Sequence, residues 1–180
     1  LIKGKNGTVL DLNGHDQWVE VYRADNVEIS SNQLTITMQV YPRKLISSCG
    51  SFITKGSKQL GIHQEGKEDI SFYIYTDKLY KATGKLPVDW EYNWHQLYAV
   101  YDGAQIRLFI DGQEVANAEA KGNIRNLPMP LNIGRNEETH GQETDVYICD
   151  AQIDKVGVFD KALPIDGLTA EKAVLWLDFE

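Results

Sequence analysis

The residues with most to offer chemically are two carboxylates in alternation. Glu143 and Asp145, in Glu143-Thr144-Asp145-Val146-Tyr147, would project to one side of an extended chain. Two carboxylates flanking one sugar linkage can divide the roles of acid and nucleophile or base. The next position on that side is Tyr147, so the expected role of the pair is solvation of a loop, and no catalytic residues are assigned. The other reactive types are dispersed. His15, His63, His95 and His140 form no i,i+4 pair, and no serine lies in a G-x-S-x-G turn. Cys49 and Cys149 fit no metal-ligand spacing, which leaves one long-range bridge or two buried thiols, the thiols being expected.

A saccharide site needs an aromatic face for the apolar C–H surface of a sugar and planar polar groups for its hydroxyls. Residues 85–94 place Trp90 and Tyr92 beside Asp89 and Glu91, with Trp90 the first choice for such a face. The same two rings could instead close the end of the core or pack on a neighbouring domain. Residues 135–140 add Arg135, Asn136 and His140 as hydroxyl partners, in a composition equally suited to a solvated loop. Trp94 and His95, at the start of a strand, are expected to be packed structural residues.

The elements that must hold these groups are strands. Leu34, Ile36, Met38 and Val40 alternate with Thr35, Thr37, Gln39 and Tyr41, which predicts a strand with one face buried. Further short runs lie at 18–22, 51–54, 59–63, 70–75, 131–133 and 147–159, and residues 135–145 read as an exposed loop. Across residues 94–116, Asp102-Gly103 and Asp111-Gly112 separate apolar runs, which predicts a three-stranded meander. Residues 168–173 could form a helical turn capped by Thr169. Many short strands with almost no helix predict an all-β antiparallel β-sandwich of jelly-roll type, read as a single domain over residues 1–180.

The chain has 180 residues, 42% of them hydrophobic, enough for one core without a stapling metal. Its net charge of −8 offers no attraction to nucleic acid or anionic lipid. No run approaches the ~18 apolar residues of a membrane span. The start, Leu1 to Gly4, has neither an initiator methionine nor a signal-peptide pattern, so a piece of a longer chain is expected.

Six segments in order resemble the laminin-G-like, concanavalin-A-like lectin family. They are Ile53-Thr54-Lys55-Gly56, Asn93-Trp94-His95-Gln96-Leu97, Ala99-Val100-Tyr101-Asp102-Gly103, Phe109-Ile110-Asp111-Gly112, Asn132-Ile133-Gly134-Arg135, and Ile153-Asp154-Lys155-Val156 continuing to Phe159-Asp160-Lys161-Ala162-Leu163. The resemblance covers roughly residues 9–165 and implies the sandwich fold. Retaining glucanases of that fold carry E-x-D-x-E on one strand, and Tyr147 breaks the pattern here. The resemblance also implies a structural calcium, for which Asp16, in Asn13-Gly14-His15-Asp16-Gln17-Trp18-Val19, and Asp154 are the metal candidates, with Asp150 a weaker third. Asn13 and Gln17 replace two acids of the family's loop, which would weaken the ion.

The closing segment Ala173-Val174-Leu175-Trp176-Leu177-Asp178-Phe179-Glu180 resembles part of large secreted family 2 glycoside hydrolases, β-galactosidases of the Bacteroidetes type. The implied role is a non-catalytic accessory domain of a secreted or periplasmic glycoside hydrolase. Its implied partners are carbohydrate or the catalytic domain of the same parent chain. The alternatives are a protein-interaction or adhesion module of laminin-G type and, disfavoured by the missing acid, a stand-alone lectin-fold glycosidase.

Overall fold

The computed structural model describes residues 1–3, 7–22, 27–44, 49–136 and 148–179, with backbone only at Cys49. In chain order the strands are β1 Ile2–Lys3, β2 Thr8–Asn13, β3 Val19–Val21, β4 Leu34–Pro42, β5 Cys49–Thr54, β6 Leu60–Glu65, β7 Asp69–Tyr75 and β8 Leu79–Lys85. They continue with β9 His95–Tyr101, β10 Gln105–Ile110, β11 Gln113–Glu119, β12 Leu131–Ile133, β13 Asp150–Phe159 and β14 Leu175–Leu177. Two antiparallel sheets result. One runs β1-β2-β13-β4-β9-β10-β11, with β14 also pairing β13, and the other runs β3-β12-β5-β6-β7-β8.

The alternation read in residues 34–41 sorts side chains as expected. Leu34, Ile36, Met38 and Val40 are fully buried between the sheets, where they join Leu97, Ile106, Leu108, Ile153 and Val158 with Ile62, Ile70, Phe72 and Ile133 of the facing sheet. Thr35, Thr37, Gln39 and Tyr41 therefore lie on the outer face of the eight-stranded sheet. The meander forms with both Asp-Gly turns in place, Ile106 pairing Tyr101 and Ile110 pairing Gln113.

Four strands were not anticipated, β1, β2, β8 and β14, and two of them are instructive. In β8 the inward positions are Tyr80, half-buried, and the small Ala82 and Gly84, which give no continuous apolar stripe. Gly84 is required there, because a Cβ would lie 2.2 Å from the Val115 carbonyl oxygen of β11, where the two sheet edges meet. The other is β14, whose Trp176 pairs Gly157 of β13, so part of the closing segment belongs to the sheet itself. The helical turn at 168–173 is a 3-10 turn, Ala170–Lys172, and Thr169 stands at its N-cap without a side-chain capping bond. Cys149 is a buried free thiol, and burial, with the charge of Asp150, pushes it up to about 12.

Candidate functional site

Register across three strands assembles the site. On the outer face of the eight-stranded sheet, Gln39 of β4 stands between Asp154 of β13 and Gln96 of β9. One row further along, Tyr41 pairs Gln152. Trp94 precedes β9 with the parity of Gln96, so it also faces outward, and its ring lies 5.7 Å from that of Tyr41. Tyr92 closes the cluster edge-on to Tyr41, with ring centroids 6.5 Å apart. Gln39, Trp94, Gln96 and Asp154 border a cleft of about 420 Å3 whose lining also includes His95, Asp111 and Lys155. That volume falls within the ~300–1,000 Å3 of small-molecule sites.

Local backbone strain is concentrated around this cleft. Among the described residues, only Tyr92 (φ 62°), Asp111 (φ 51°) and Lys155 (φ 49°) are non-glycine residues with positive φ. Such conformations cost on the order of 1–3 kcal/mol each and persist where surroundings fix them. Asp111 occupies the turn between β10 and β11, where aspartate tolerates the left-handed region. Lys155 lies within the register shift between Asp154 and Gly157, a bulge that re-aims side chains along β13. The Tyr92 amide is held by the Pro42 carbonyl at 2.8 Å.

The polar groups differ in how far the protein uses them. His95 Nδ1 lies 2.7 Å from Asp111 Oδ2, and the Gln96 amide donates to Asp111 Oδ1 at 2.8 Å. Asp154 Oδ1 accepts from the Lys155 amide at 2.8 Å. Gln96 Nε2 donates to Thr37 Oγ1 at 3.3 Å. The Gln39 amide and the Lys155 ammonium make no hydrogen bond or ion pair among the described residues. The floor thus presents free donors and acceptors beside an exposed aromatic ring.

The other half of the same face is closed. Thr35 Oγ1 donates to the Lys161 carbonyl at 2.7 Å and accepts from the Leu163 amide at 3.0 Å, while the Tyr98 hydroxyl donates to the Leu163 carbonyl. The chain after β13 therefore folds back over β4 and β9.

The residues anticipated for sugar contact do not come together. Trp90 is 3% exposed, stacked on His95 at 5.0 Å, with its indole N–H donating to Gln64 Oε1 at 3.0 Å. It closes the end of the core, and Tyr92, 53% exposed, takes the outer position. Trp94, expected in the core, is 37% exposed beside the cleft. Arg135 and Asn136 are buried at the end of β12, on the other sheet. Arg135 donates to Glu20 Oε2 at 2.8 Å and Asn132 Oδ1 at 3.0 Å and lies 4.0 Å over the Trp18 ring, while Asn136 donates to Ser57 Oγ at 2.7 Å. Burial and these contacts commit both to the fold rather than to a solvated loop. His140, Glu143, Asp145 and Tyr147 lie outside the described residues.

The calcium candidates also separate. Asp16 accepts from Asn13 Nδ2 at 2.7 Å, and Asn13 pairs Asp150, four residues along β13 from Asp154. That spacing is ~13 Å of strand. Asp150 is an ion-pair partner of Arg43, which also binds Asp11. No group of three or more potential ligands gathers among the described residues. Asp16 and Asp154 thus do not fit a shared ion.

A larger depression, about 790 Å3, lies along the β8 and β11 edges beside Lys78, Leu79, Lys81 and Lys121. Its aromatic residue, Tyr80, has the Lys78 ammonium 5.0 Å over its ring, so that face is taken.

The same architecture occurs in solved structures. Domain 4 of AbnA, a GH43 extracellular arabinanase from Geobacillus stearothermophilus in complex with arabinotriose, matches with TM-score 0.67 and 19% identity over 91% of this chain and 75% of that one. The CBM40 of the Ruminococcus gnavus IT-sialidase, bound to α2,3 sialyllactose, gives 0.67 and 16% over 92% and 96%. A putative carbohydrate binding protein from Bacteroides ovatus gives 0.71 and 12%, this chain covering 52% of its length and 94% of its own. No curated protein matches the sequence. The family profile matches residues 13–166, and the chain belongs to the concanavalin A-like lectin/glucanases superfamily.

Proposed function

We propose that this domain binds carbohydrate in the cleft on the outer face of the eight-stranded sheet, as a non-catalytic module of an extracellular or periplasmic carbohydrate-active protein. The observation that carries this reading is the exposed Trp94 ring beside the carboxylate of Asp154 and the amide of Gln39, which has no partner among the described residues. An aromatic ring stacks on the apolar face of a sugar, and planar polar groups take its hydroxyls in pairs. The structural neighbours supply the wider support, since two are described with bound oligosaccharides.

A binding role suits the cleft better than hydrolysis. Of its two carboxylates, Asp154 stands on β13 beside Gln39 and Asp111 sits in the turn after β10, where it is held by β9. Both oxygens of Asp111 already accept protein donors. The finer assignment, to a β-galactosidase parent of glycoside hydrolase family 2, rests on the closing segment alone. Much of that segment serves this sandwich as β14 and its flanks. A protein contact would draw on the same exposed rings, Tyr92 and Trp94, and on Val88, whose side chain stands fully in solvent.

Calorimetric titration of the domain with a panel of oligosaccharides separates the two roles. Carbohydrate binding predicts a saturable heat with at least one glycan, lost in Trp94→Ala. No heat with any glycan, from folded protein, would overturn it in favour of a protein contact.

A further inference from the structure

The charges around the cleft carry a statement about its ligand that the fold does not. Neighbours of the same architecture are described with an uncharged ligand, arabinotriose, and with an acidic one, sialyllactose. Here the lining carries two carboxylates, Asp111 and Asp154, against the ammonium of Lys155 and the imidazole of His95, which lies 2.7 Å from Asp111. Asp111 keeps a half-exposed side chain although His95 and the Gln96 amide hold it. The adjoining rows add Asp11 and Asp150 against Arg43, which both of them share. The whole chain is at −8. In formal charge, with His95 counted as the neutral imidazole partner of Asp111, acid exceeds base in the lining, in the adjoining rows and in the chain as a whole. An incoming carboxylate or sulfate would meet a repulsive field and would be desolvated between like charges.

The same groups suit hydroxyls. A carboxylate only accepts, and a vicinal diol offers it two donors. The Gln39 amide, beside Asp154 in the register and without a protein partner among the described residues, both donates and accepts.

Resting on the carbohydrate reading, we infer that the cleft selects uncharged glycans, with Asp154 and Gln39 bridging adjacent hydroxyls of a ring stacked on Trp94. Asp154 is the specificity-determining residue that turns acidic glycans away.

The test uses one glycan in three forms: the tightest-binding neutral oligosaccharide of the panel, the same compound oxidised at its primary hydroxyls to carboxylates, and the methyl ester of that acid. Isothermal titration at low and high salt reads the three affinities. The free acid is expected to bind at least about tenfold more weakly than its ester, with the gap narrowing in salt and in Asp154→Asn. Equal binding of acid and ester, or an unchanged gap in Asp154→Asn, would overturn the charge selection while leaving carbohydrate binding intact. No binding of any form would overturn the carbohydrate reading and the selection with it.

Discussion

The outer face of the eight-stranded sheet is built from the same strands at both ends, yet its two halves have opposite fates. At the Thr35 end, β4 and β9 present a hydroxyl and a phenol, and the chain after β13 covers them with three hydrogen bonds to its backbone. At the Gln39 end, the equivalent outward positions are the amides of Gln39 and Gln96, which line the cleft, and that of Gln39 makes no hydrogen bond among the described residues. The non-glycine strain at Tyr92, Asp111 and Lys155 borders the open half. Polar residues on a sheet face therefore do not by themselves mark a site. What marks this one is unspent hydrogen-bonding capacity, an exposed aromatic ring and backbone held away from its preferred conformations.

The two halves should respond differently to substitution. The largest effect belongs to the aromatic support beneath the open half. Trp90→Ala removes a buried ring packed on Phe52 and His95 and should cost ~3–5 kcal/mol in thermal or urea unfolding. In the covered half, Thr35→Val strips a donor and an acceptor from part-buried backbone partners. It should cost ~1–3 kcal/mol of stability, with the affinity of the remaining folded protein for glycan unchanged. In the open half the pattern inverts. Trp94→Ala should weaken glycan binding roughly tenfold or more while shifting stability by less than ~1 kcal/mol, read by calorimetry beside a thermal melt. Gln39→Ala should lose a few-fold in affinity and almost nothing in stability, ~0.5 kcal/mol at most, because the protein does not use its amide. If Gln39→Ala destabilised as much as Thr35→Val, the contrast between the halves would fail.

Much of this was legible in the sequence. The alternation of residues 34–41 determined which side chains face out, and the two Asp-Gly turns located the meander. The core position of Trp90 was among the expected readings, whereas the exposure of Trp94 was not, although a signal existed. Once His95, Leu97, Ala99 and Tyr101 are read as the inward set of β9, Trp94 must share the outward side with Gln96. Other features depend on partners far away in the chain. Arg135 reads as a loop donor until the fold brings Glu20 and Trp18 against it. Gln39, Gln96 and Asp154 become neighbours only through the register of three strands. β8 stayed hidden because two of its three inward residues are small, Gly84 for the sake of close approach between sheet edges, a demand invisible locally.

The central claim, that the open half of this face is the carbohydrate site, is tested most directly by mapping a bound glycan with nuclear magnetic resonance on isotopically labelled protein. Titration with a binding oligosaccharide should shift the indole N–H of Trp94 and the side-chain amides of Gln39 and Gln96, leaving the indole of buried Trp90 little changed. Shifts confined to the six-stranded sheet, or to the Lys78–Lys81 edge, would contradict it.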